Sequence, residues 1–567
     1  MLGLQSFYAI LALGLASLSE AGVPRQLQNL EERQTCTNTP TTRQCWSGGL
    51  STSTDTQTTW PNTGKTVTLN WVISSKTLAP DGFSRPMMVV NGQYPGPAIR
   101  ANWGDKISVT VTNSLTTNGT GIHWHGLRQL NTNQQDGTPG LTECPIAPGQ
   151  SRTYTFQATE YGTSWYHSHY SVQYGDGVSG PIIINGPTTS NWDIDTGALP
   201  LTDWFHTPIF TLNARELHST GPLTADNALV NGSMTSSSGG AYSVINVTPN
   251  KLHLLRIINT GINQYFHVSA DGHPFTVVAA DFTPITPYTT NSLVLTVGQR
   301  YDVIFNASQA VGNYWLRVGT GGGTCDGPNS NAANIRAIIR YTGAPVANPT
   351  STGSNPSGCG EETAPAPVVT KTVPAGTAKQ FAVSFSPTTS TGQIFVQWLI
   401  NGSAIKVDWS HPTLQQSLAG TTSFPTSENL YAIGPANVWT YWVIQNVIAG
   451  PPLPHPIHLH GHRFFLLGSG TGTFNPATTL KYNNPIFRDT VTLPAGGWIV
   501  VAFQADNPGA WLFHCHVAFH ISEGFGVQFL ERAGDIRSSI GSTSALDSGC
   551  TTWATTGISP PAGDSGL

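Results

Sequence analysis

Short runs in which apolar and polar residues alternate recur along the whole chain, with turn residues between them. Examples are KISVTVTNSL (106–115), RTYTFQA (152–158), GPIIING (180–186), SLVLTVGQRYDVIF (292–305) and GWIVVAFQA (497–505). A period of two residues is that of a strand with one buried face, and many short strands are typical of β-sandwiches. The pattern therefore predicts an all-β protein, with short helices only near 412–418 and 514–522.

Interruptions of this pattern divide the chain into domains. A Pro-, Ser-, Thr- and Gly-rich stretch at 343–379 is predicted to be a linker, and a weaker break lies near 184–190. The chain has 567 residues, which is too long for one compact core. We expect three β domains at 60–185, 186–342 and 380–535, followed by a C-terminal segment at 536–567.

The N-terminus resembles a targeting segment rather than part of a domain. Residues 1–21 contain an apolar run and end in small residues, so we predict a signal peptide, followed by a possible propeptide at 22–33. The alternative is a membrane anchor, but the run is too short to span, and no later stretch is long and apolar enough. The protein is therefore expected to be secreted into the extracellular space, without a membrane partner.

Composition narrows the possible partners. Only 10% of residues are charged and the formal net charge is −5, which argues against nucleic acid or an anionic membrane as partner. The glycine-rich GTGGGT (319–324) is not followed by a helix signal, so we interpret it as a loop rather than a phosphate cradle.

Secretion also affects how the cysteines are expected to pair. An oxidising compartment is expected to pair six of the seven, leaving Cys515, which lies among potential metal ligands. A pair of Cys325 with Cys359 would tether the linker. Five glycosylation sequons fit the same compartment: Asn118, Asn231, Asn246, Asn306 and Asn401.

Histidines are concentrated in four short windows, GIHWHG (121–126), SWYHSHY (164–170), HPIHLHGH (455–462) and FHCHVAFH (513–520). Each contains one His-x-His, and residues two apart in a strand point to the same face. One such pair alone is often only a solvated strand. Four pairs predict a shared metal cluster between the first and last domains, from His123, His125, His167, His169, His458, His460, His514 and His516.

Cys515 lies between two of these histidines and must therefore face the opposite side of its strand. With His520 and His455 it would form a His₂Cys set, the trigonal arrangement of an electron-transfer copper. We expect His455 to be set apart from the neighbouring pair because Pro456 disrupts the strand. Eight imidazoles can hold three further coppers, a site suited to the four-electron reduction of O₂. Zinc has no redox chemistry and would not serve this purpose.

These windows, together with TNGTGIHWHG, DGTPGLTECPI, YGTSWYHSHYS, VGQRYDVIF, NPGAWLFHCHVAFH and the terminal DSGL, resemble the multicopper oxidases. The chain after about residue 35 is similar to the ascomycete laccases in that family. The resemblance implies three cupredoxin-like Greek-key β-sandwich domains and four copper ions. It also implies one-electron oxidation of phenols and aromatic amines, with O₂ reduced to water.

The resemblance assigns ligands by position. His455, Cys515 and His520 resemble type 1 copper ligands, and His123 and His458 resemble type 2 ligands. The type 3 ligands would be His125, His167, His169, His460, His514 and His516. Phe525 occupies the axial position of the type 1 site. Since methionines occur only at 1, 87, 88 and 234, no thioether of the third domain is available there.

The resemblance also implies further functional residues. Asp226 would be a carboxylate in the phenol pocket, with a turn aspartate as the alternative, and Leu453, Phe519 and His520 would line the same pocket. Asp136 would manage protons near the cluster, whereas Ala518 stands where some relatives carry a second acid. The catalytic set is therefore predicted to be Cys515, His520, Asp226 and Asp136.

Resemblance implies the disulfides Cys36–Cys45, Cys144–Cys550 and Cys325–Cys359, and a terminal DSGL (564–567) that lodges in a channel rather than a frayed tail. The remaining histidines, at 206, 218, 253, 267, 273, 411 and 462, are expected to be hydrogen-bonded or surface residues. We expect a monomer. The alternatives to a laccase are a ferroxidase or pigment-forming oxidase within the family, and a non-catalytic copper carrier outside it.

Overall fold

The computed structural model describes residues 36–323, 325–390, 392–447 and 453–567. The predicted signal peptide and propeptide lie outside these residues. Strands dominate the described chain and form successive sandwiches over 66–185, 194–341 and 379–531. The predicted all-β class is confirmed.

The first sandwich consists of two four-stranded sheets, ordered β2-β1-β4-β6 and β3-β8-β7-β5. In Lys106–Asn113 the apolar residues Ile107, Val109 and Val111 are buried and the residues between them are not, as the alternating pattern predicts. The strands are β1 (Thr66–Leu78), β2 (Arg85–Val90), β3 (Ile99–Asn102), β4 (Lys106–Asn113), β5 (Ile122–Trp124), β6 (Ser151–Gln157), β7 (Gly162–Ser168) and β8 (Ser179–Asn185).

The second sandwich has sheets of six and five strands, ordered β10-β9-β14-β19-β16-β17 and β13-β21-β20-β15-β18, beside the short hairpin β11-β12. Its strands are β9 (Ile194–Trp204), β10 (Asn227–Val230), β11 (Thr235–Ser236), β12 (Gly239–Gly240), β13 (Val244–Val247), β14 (Leu252–Asn259), β15 (Phe266–Ala270), β16 (Phe275–Ala280), β17 (Thr283–Thr290), β18 (Ser292–Leu295), β19 (Arg300–Asn306), β20 (Asn313–Gly319) and β21 (Arg336–Tyr341).

The third sandwich also has sheets of six and five strands, ordered β23-β22-β25-β30-β27-β28 and β24-β32-β31-β26-β29. Its strands are β22 (Lys379–Ser390), β23 (Gln393–Ile400), β24 (Leu430–Ile433), β25 (Trp439–Asn446), β26 (His455–Leu459), β27 (Phe464–Thr471), β28 (Ile486–Arg488), β29 (Thr490–Leu493), β30 (Gly497–Gln504), β31 (Gly509–Cys515) and β32 (Gly526–Glu531).

Helices are short and lie in connections between strands or after the last strand. They are α1 (Ile209–Glu216), α2 (Thr413–Leu418), α3 (Ala518–Ser522), α4 (Ala533–Ser539) and α5 (Ser544–Ala554), with 3₁₀ turns at Ser47–Gly49, Asn133–Gln135, Gln173–Asp176, Ala332–Asn334 and Thr426–Glu428. The helix predicted near 412–418 is α2. The one predicted near 514–522 is wrong in its first part, because the chain continues β31 to Cys515 and turns into α3 only at Ala518.

Three helices were not predicted, and for α5 the sequence carried a signal. Leu546, Cys550 and Trp553 are its buried residues, spaced four and three apart as on one helical face. Cys550 is bonded to Cys144, which fastens this helix to the first sandwich. The implied pairs Cys36–Cys45 and Cys325–Cys359 are also present, and Cys515 is a free, buried cysteine.

The terminal DSGL is packed inside the protein, so the alternative of a frayed tail is wrong. Asp564 accepts a hydrogen bond from Ser171 Oγ at 2.6 Å, and Gly566 O accepts one from Trp409 Nε1 at 2.9 Å. Leu567 is buried beside the residues of α5 and Trp409. Within the described ranges, no helix has the length and apolar character that crossing a membrane requires.

Candidate metal centres and the adjoining cavity

Strand register brings the predicted histidine pairs together. His123 of β5 lies opposite His167 of β7, and His458 of β26 lies opposite His514 of β31. Opposite residues of an antiparallel pair share a face of the sheet. One pair of strands belongs to the first sandwich and the other to the third, so the imidazoles meet at the interface between the two domains.

The eight imidazoles are buried and form groups whose donor atoms all lie within 4.8 Å of one another. One group joins His123 and His458 to His125. Two other groups also combine histidines of both domains: His125, His167 and His516 form one, and His169, His460 and His514 form the other. These are the six residues that the resemblance assigned to the type 3 coppers.

Hydrogen bonds fix which ring nitrogen faces the cluster. Nδ1 of His123 lies 3.0 Å from Asp136 O, Nδ1 of His458 lies 2.8 Å from Asp489 O, and Nδ1 of His167 lies 3.1 Å from Ser168 O. A carbonyl accepts, so each Nδ1 must donate and each Nε2 keeps its lone pair. These three Nε2 atoms are buried, and none of them has a hydrogen-bond partner among the described residues.

His125 is turned the other way. Its Nδ1 lies 3.2 Å from His516 Nε2, while its Nε2 lies 3.3 Å from Oδ1 of Asp489. Asp489 is itself held by Arg300 through two hydrogen bonds. Sequence reasoning missed both residues, since a single carboxylate and a single guanidinium in different domains carry no local signal.

The protonation of these histidines suits a metal site. Burial, and the neighbouring imidazoles in several cases, lower the pKa of His125, His167, His169, His455, His458, His460 and His516 well below the usual value. Burial lowers the pKa of His514 and His520 to about 3. Neutral imidazoles with free lone pairs are the form that binds metal ions.

Cys515 and two histidines form a separate centre on the other face of β31. Its Sγ lies 3.7 Å from His455 Nδ1 and 3.5 Å from His520 Nδ1, and the two nitrogens are 3.2 Å apart. The point equidistant from three atoms so spaced is about 2 Å from each, a metal–ligand distance. Burial raises the pKa of the Cys515 thiol, so a bound cation is needed to stabilise its thiolate.

The predicted reason for the position of His455 is wrong. Pro456 does not interrupt the strand, since it lies within β26 and pairs with Thr492. Alternation of faces separates the ligands instead: Ile457 lies opposite Cys515, and His455 is two residues from Ile457 on the same face. The odd-numbered residues of β26 therefore face the thiol and His458 faces the cluster.

Aromatic rings enclose the thiolate centre. Phe525, at the predicted axial position, has its ring centroid 4.9 Å from that of His455. Trp398, which sequence reasoning missed, lies 4.6 Å from His455 and 4.7 Å from His520 between ring centroids. The described hydrophobic residues that pack with Cys515 include no methionine, so the His₂Cys donors lie in apolar surroundings without a thioether.

A cavity of about 430 Å³ adjoins His520. The predicted Leu453 and Phe519 line it, together with Trp398, Glu216 and Glu523. The size suits a substituted benzene ring, and the mixture of aromatic walls with a few polar groups is typical of small-molecule sites.

Asp226 is not among the lining residues of this cavity, and its place in the phenol pocket stays a prediction. Its backbone N donates to Trp204 O and continues the pairing of β9 with β10, and its carboxylate accepts a hydrogen bond from His206 N at 2.8 Å. The side chain is 42% exposed there. The turn-aspartate alternative therefore stays open.

Asp136 lies where it was predicted, against the cluster. Its Oδ2 is 2.9 Å from His460 Nδ1, and Oδ2 also accepts a hydrogen bond from Thr138 Oγ1 at 2.8 Å. The histidines outside the predicted sites all make hydrogen bonds or ion pairs, for example His462 with Glu531 and His206 with Asp81, as expected.

The orphaned imidazole nitrogens and the buried thiol fit a redox-active copper protein with a thiolate centre beside an all-imidazole cluster. Three protein-family models, each described as multicopper oxidase, match residues 72–189, 195–344 and 406–535. The chain is 51% identical to laccase-3 of Botryotinia fuckeliana over 77% of this chain and 100% of that protein. It is 45% identical to laccase-1 of that fungus, over 99% and 98%.

Solved structures of laccases are similar to this chain as well. The crystal structure of the laccase from Botrytis aclada matches with a TM-score of 0.88 and 39% identity, covering 94% of this chain and 100% of that one. The chain belongs to the multicopper oxidase family, and within it to the fungal laccases. The three cupredoxin-like domains of the predicted fold are thereby confirmed.

Proposed function

We propose that this protein is a laccase that takes single electrons from phenols and aromatic amines and reduces O₂ to water. The arrangement of residues 514–516 supports this most directly. Cys515 faces the thiolate centre beside the cavity, while His514 and His516 on either side face the imidazole cluster. One tripeptide thus connects the site where an organic donor can bind to the site suited to O₂.

The proposed ligand sets follow the observed groups. His455, Cys515 and His520 would hold the type 1 copper, with Phe525 as axial neighbour, and His123 and His458 the type 2 copper. One type 3 copper would be held by His125, His167 and His516, and the other by His169, His460 and His514, which gives four ions in total. Copper would supply the one-electron redox chemistry that side chains of this kind lack.

The chain's own residues would orient the donor and handle protons. Phe519 and Leu453 give the aromatic ring an apolar surface, and His520, which is partly exposed, lies at the cavity wall. Peptide bonds join Cys515 to His514 and His516 of the cluster, which gives electrons a short covalent path. Asp136, hydrogen-bonded to His460 and Thr138, would hold a proton where water formation consumes protons.

We further propose that the protein is secreted, monomeric and glycosylated. Four of the sequon asparagines, Asn231, Asn246, Asn306 and Asn401, are exposed, and Asn118 is half-buried. Light scattering of the purified protein tests the monomer, and mass change after glycosidase treatment tests the glycans.

A copper count together with a visible spectrum and O₂ uptake tests the proposed function. We expect about four coppers per chain, an intense thiolate band near roughly 600 nm, and O₂ uptake with a phenol. Copper binding without O₂ uptake with any donor would instead indicate a carrier.

A ferroxidase is the second candidate, because Glu216 and Glu523 lie in the cavity beside His520 and carboxylates bind Fe²⁺. Comparing the initial O₂ uptake rates with Fe²⁺ and with a phenol separates the two. A laccase uses the phenol more efficiently, whereas a ferroxidase uses Fe²⁺. A pigment-forming oxidase has the laccase chemistry and differs only in its natural phenol.

A further inference from the structure

The cavity beside His520 has an unusual distribution of charge. Three carboxylates line it, from Glu216, Asp326 and Glu523, and no Lys or Arg is among its described lining residues. The carboxylate of Asp326 is hydrogen-bonded to the backbone, since its Oδ2 accepts the N–H groups of Tyr265 at 3.1 Å and Gly321 at 3.0 Å. Burial raises the pKa of Asp326 to about 6, so this fixed carboxylate still adds negative charge near neutral pH to that of Glu216 and Glu523.

Strand β23 places these two glutamates on one wall. Val396 N donates a hydrogen bond to Leu217 O at 2.9 Å, directly after Glu216 at the end of α1. Trp398 N donates to Glu523 O at 3.0 Å, directly after α3. Val396 and Trp398 are two residues apart on one face of the strand and both line the cavity, so the two helix ends converge beside it.

The two carboxyl groups differ in their surroundings. Glu523 is buried and is hydrogen-bonded to the side chain of Trp398. Glu216 is only partly buried, and no described side chain forms a hydrogen bond or ion pair with its carboxylate. Glu216 also lies at the C-terminal end of α1, where the helix dipole is negative. Arg215 of the same helix is exposed and does not line the cavity.

Near neutral pH Glu216 is partly ionised, and above neutral pH this pair holds about one negative charge. Burial raises the pKa of Glu216 to about 7, and burial together with the charge of Glu216 raises the pKa of Glu523 well above its usual range. The charge of the pair therefore resides on Glu216, which has no cationic partner among the described residues, while Glu523 stays protonated beside it.

We propose that Glu216 and Glu523 form a cation-binding wall, so that the preferred donors are phenols and aromatic amines carrying an ammonium group. The inference rests on the proposed laccase function and names the substrate class of that same site. The donor ring would lie against Phe519 and Leu453 near His520, and the ammonium group would lie between Glu216 and the faces of Phe385 and Trp398. A carboxylate donor would meet a like charge with no cation to balance it.

Three catechols that differ in the charge of one side chain test this inference. They are dopamine (cationic), 4-ethylcatechol (neutral) and 3-(3,4-dihydroxyphenyl)propionic acid (anionic), compared by kcat/KM from O₂ uptake near neutral pH. We expect dopamine to exceed the anionic catechol by about tenfold, with the neutral catechol between them. Glu216→Gln should reduce this spread to about threefold or less, because Asp326 then remains as the charged acid. Glu523→Gln replaces a protonated carboxyl with a neutral amide and should keep most of the spread.

Activity with the neutral catechol shows that each variant is folded and loaded. Asp408→Asn is the matched control, because it removes one negative charge from an exposed side chain that does not line the cavity, and it should keep the wild-type spread. Equal kcat/KM for all three catechols in the wild type would overturn the inference and leave the laccase function standing. So would a spread that Asp226→Asn abolishes and Glu216→Gln leaves intact. Absence of oxidation with all three would instead overturn the laccase function.

Discussion

Arg300 holds Asp489 with two hydrogen bonds, from Nη1 to Oδ1 at 2.6 Å and from Nη2 to Oδ2 at 2.8 Å, and both side chains are fully buried. Arg300 belongs to the second domain and Asp489 to the third, while Oδ1 of Asp489 faces His125 of the first. One carboxylate thus connects all three domains at the candidate cluster, and it sets the ring nitrogen that His125 presents.

Asp489→Asn should weaken both the domain junction and the cluster. The variant replaces the carboxylate that pairs with the buried Arg300 by a neutral amide. The free energy of unfolding of the copper-free protein should therefore fall by about 3 kcal/mol. Copper per chain should fall as well, because Nε2 of His125 loses its carboxylate partner. Denaturant unfolding and metal analysis measure the two effects.

Asp271→Asn is the control for this variant, since Asp271 pairs with Arg317 within the second domain. It should cost less stability and no copper. Full copper content in Asp489→Asn would contradict the positioning role of Asp489.

Cys515→Ser should separate the two centres. The hydroxyl is a poor copper ligand, so the band near roughly 600 nm should disappear and phenol oxidation should fall by roughly a thousandfold or more. About three coppers per chain should remain, because no imidazole of the cluster is removed. A variant that keeps its colour, or loses all copper, would refute the proposed ligand sets.

Phe525→Met should lower the reduction potential of the thiolate centre. Phe525 is buried beside His455, and a methionine of similar volume would place a thioether at the axial position, where the phenyl ring supplies no donor. A weak axial sulfur favours the oxidised ion. Redox titration of the visible band measures the change, and Phe525→Leu, which adds no donor, should not lower the potential.

Removing residues 564–567 should destabilise the protein. The deletion removes the hydrogen bonds of Asp564 with Ser171 and of Gly566 with Trp409, and it exposes the pocket that buries Leu567. We expect a loss of about 3 kcal/mol in the free energy of unfolding. Asp564→Asn keeps the packing and should lose less. Equal stability of deleted and intact chains would show that the tail contributes nothing.

The preference for dopamine over 4-ethylcatechol should grow as the pH rises. Since burial raises the pKa of Glu216 to about 7, its carboxyl is neutral in acid and becomes negative as the pH passes through that value. The ratio of the two kcat/KM values cancels pH effects common to both substrates. The ratio should rise between about pH 5 and pH 8 in the wild type and rise less in Glu216→Gln, where Asp326, whose pKa burial raises to about 6, still titrates. A flat wild-type ratio would contradict the assigned pKa.

Local motifs predicted much of the site, and what they left undecided has a physical cause. The His-x-His pairs could be assigned to one face because strand alternation is a property of two neighbouring peptide units. Asp226 carried a motif of the right kind, yet the direction of its side chain depends on His206 and on the pairing of β9 with β10. Trp398 and Glu216 had no motif, since they reach the cavity only through the packing of β23 against two helix ends.

The order of residues in the chain was enough to place Cys515 and its neighbouring histidines on opposite faces, and to define the donor types that select copper, because covalent geometry imposes both. Tertiary structure alone decided which imidazoles meet, which nitrogen of His125 is free, and which carboxylates face the donor. His125 and His516 are 391 positions apart, and their 3.2 Å approach exists only when two complete domains pack together. Contacts of that range arise from the burial of whole domain surfaces, which no local pattern encodes.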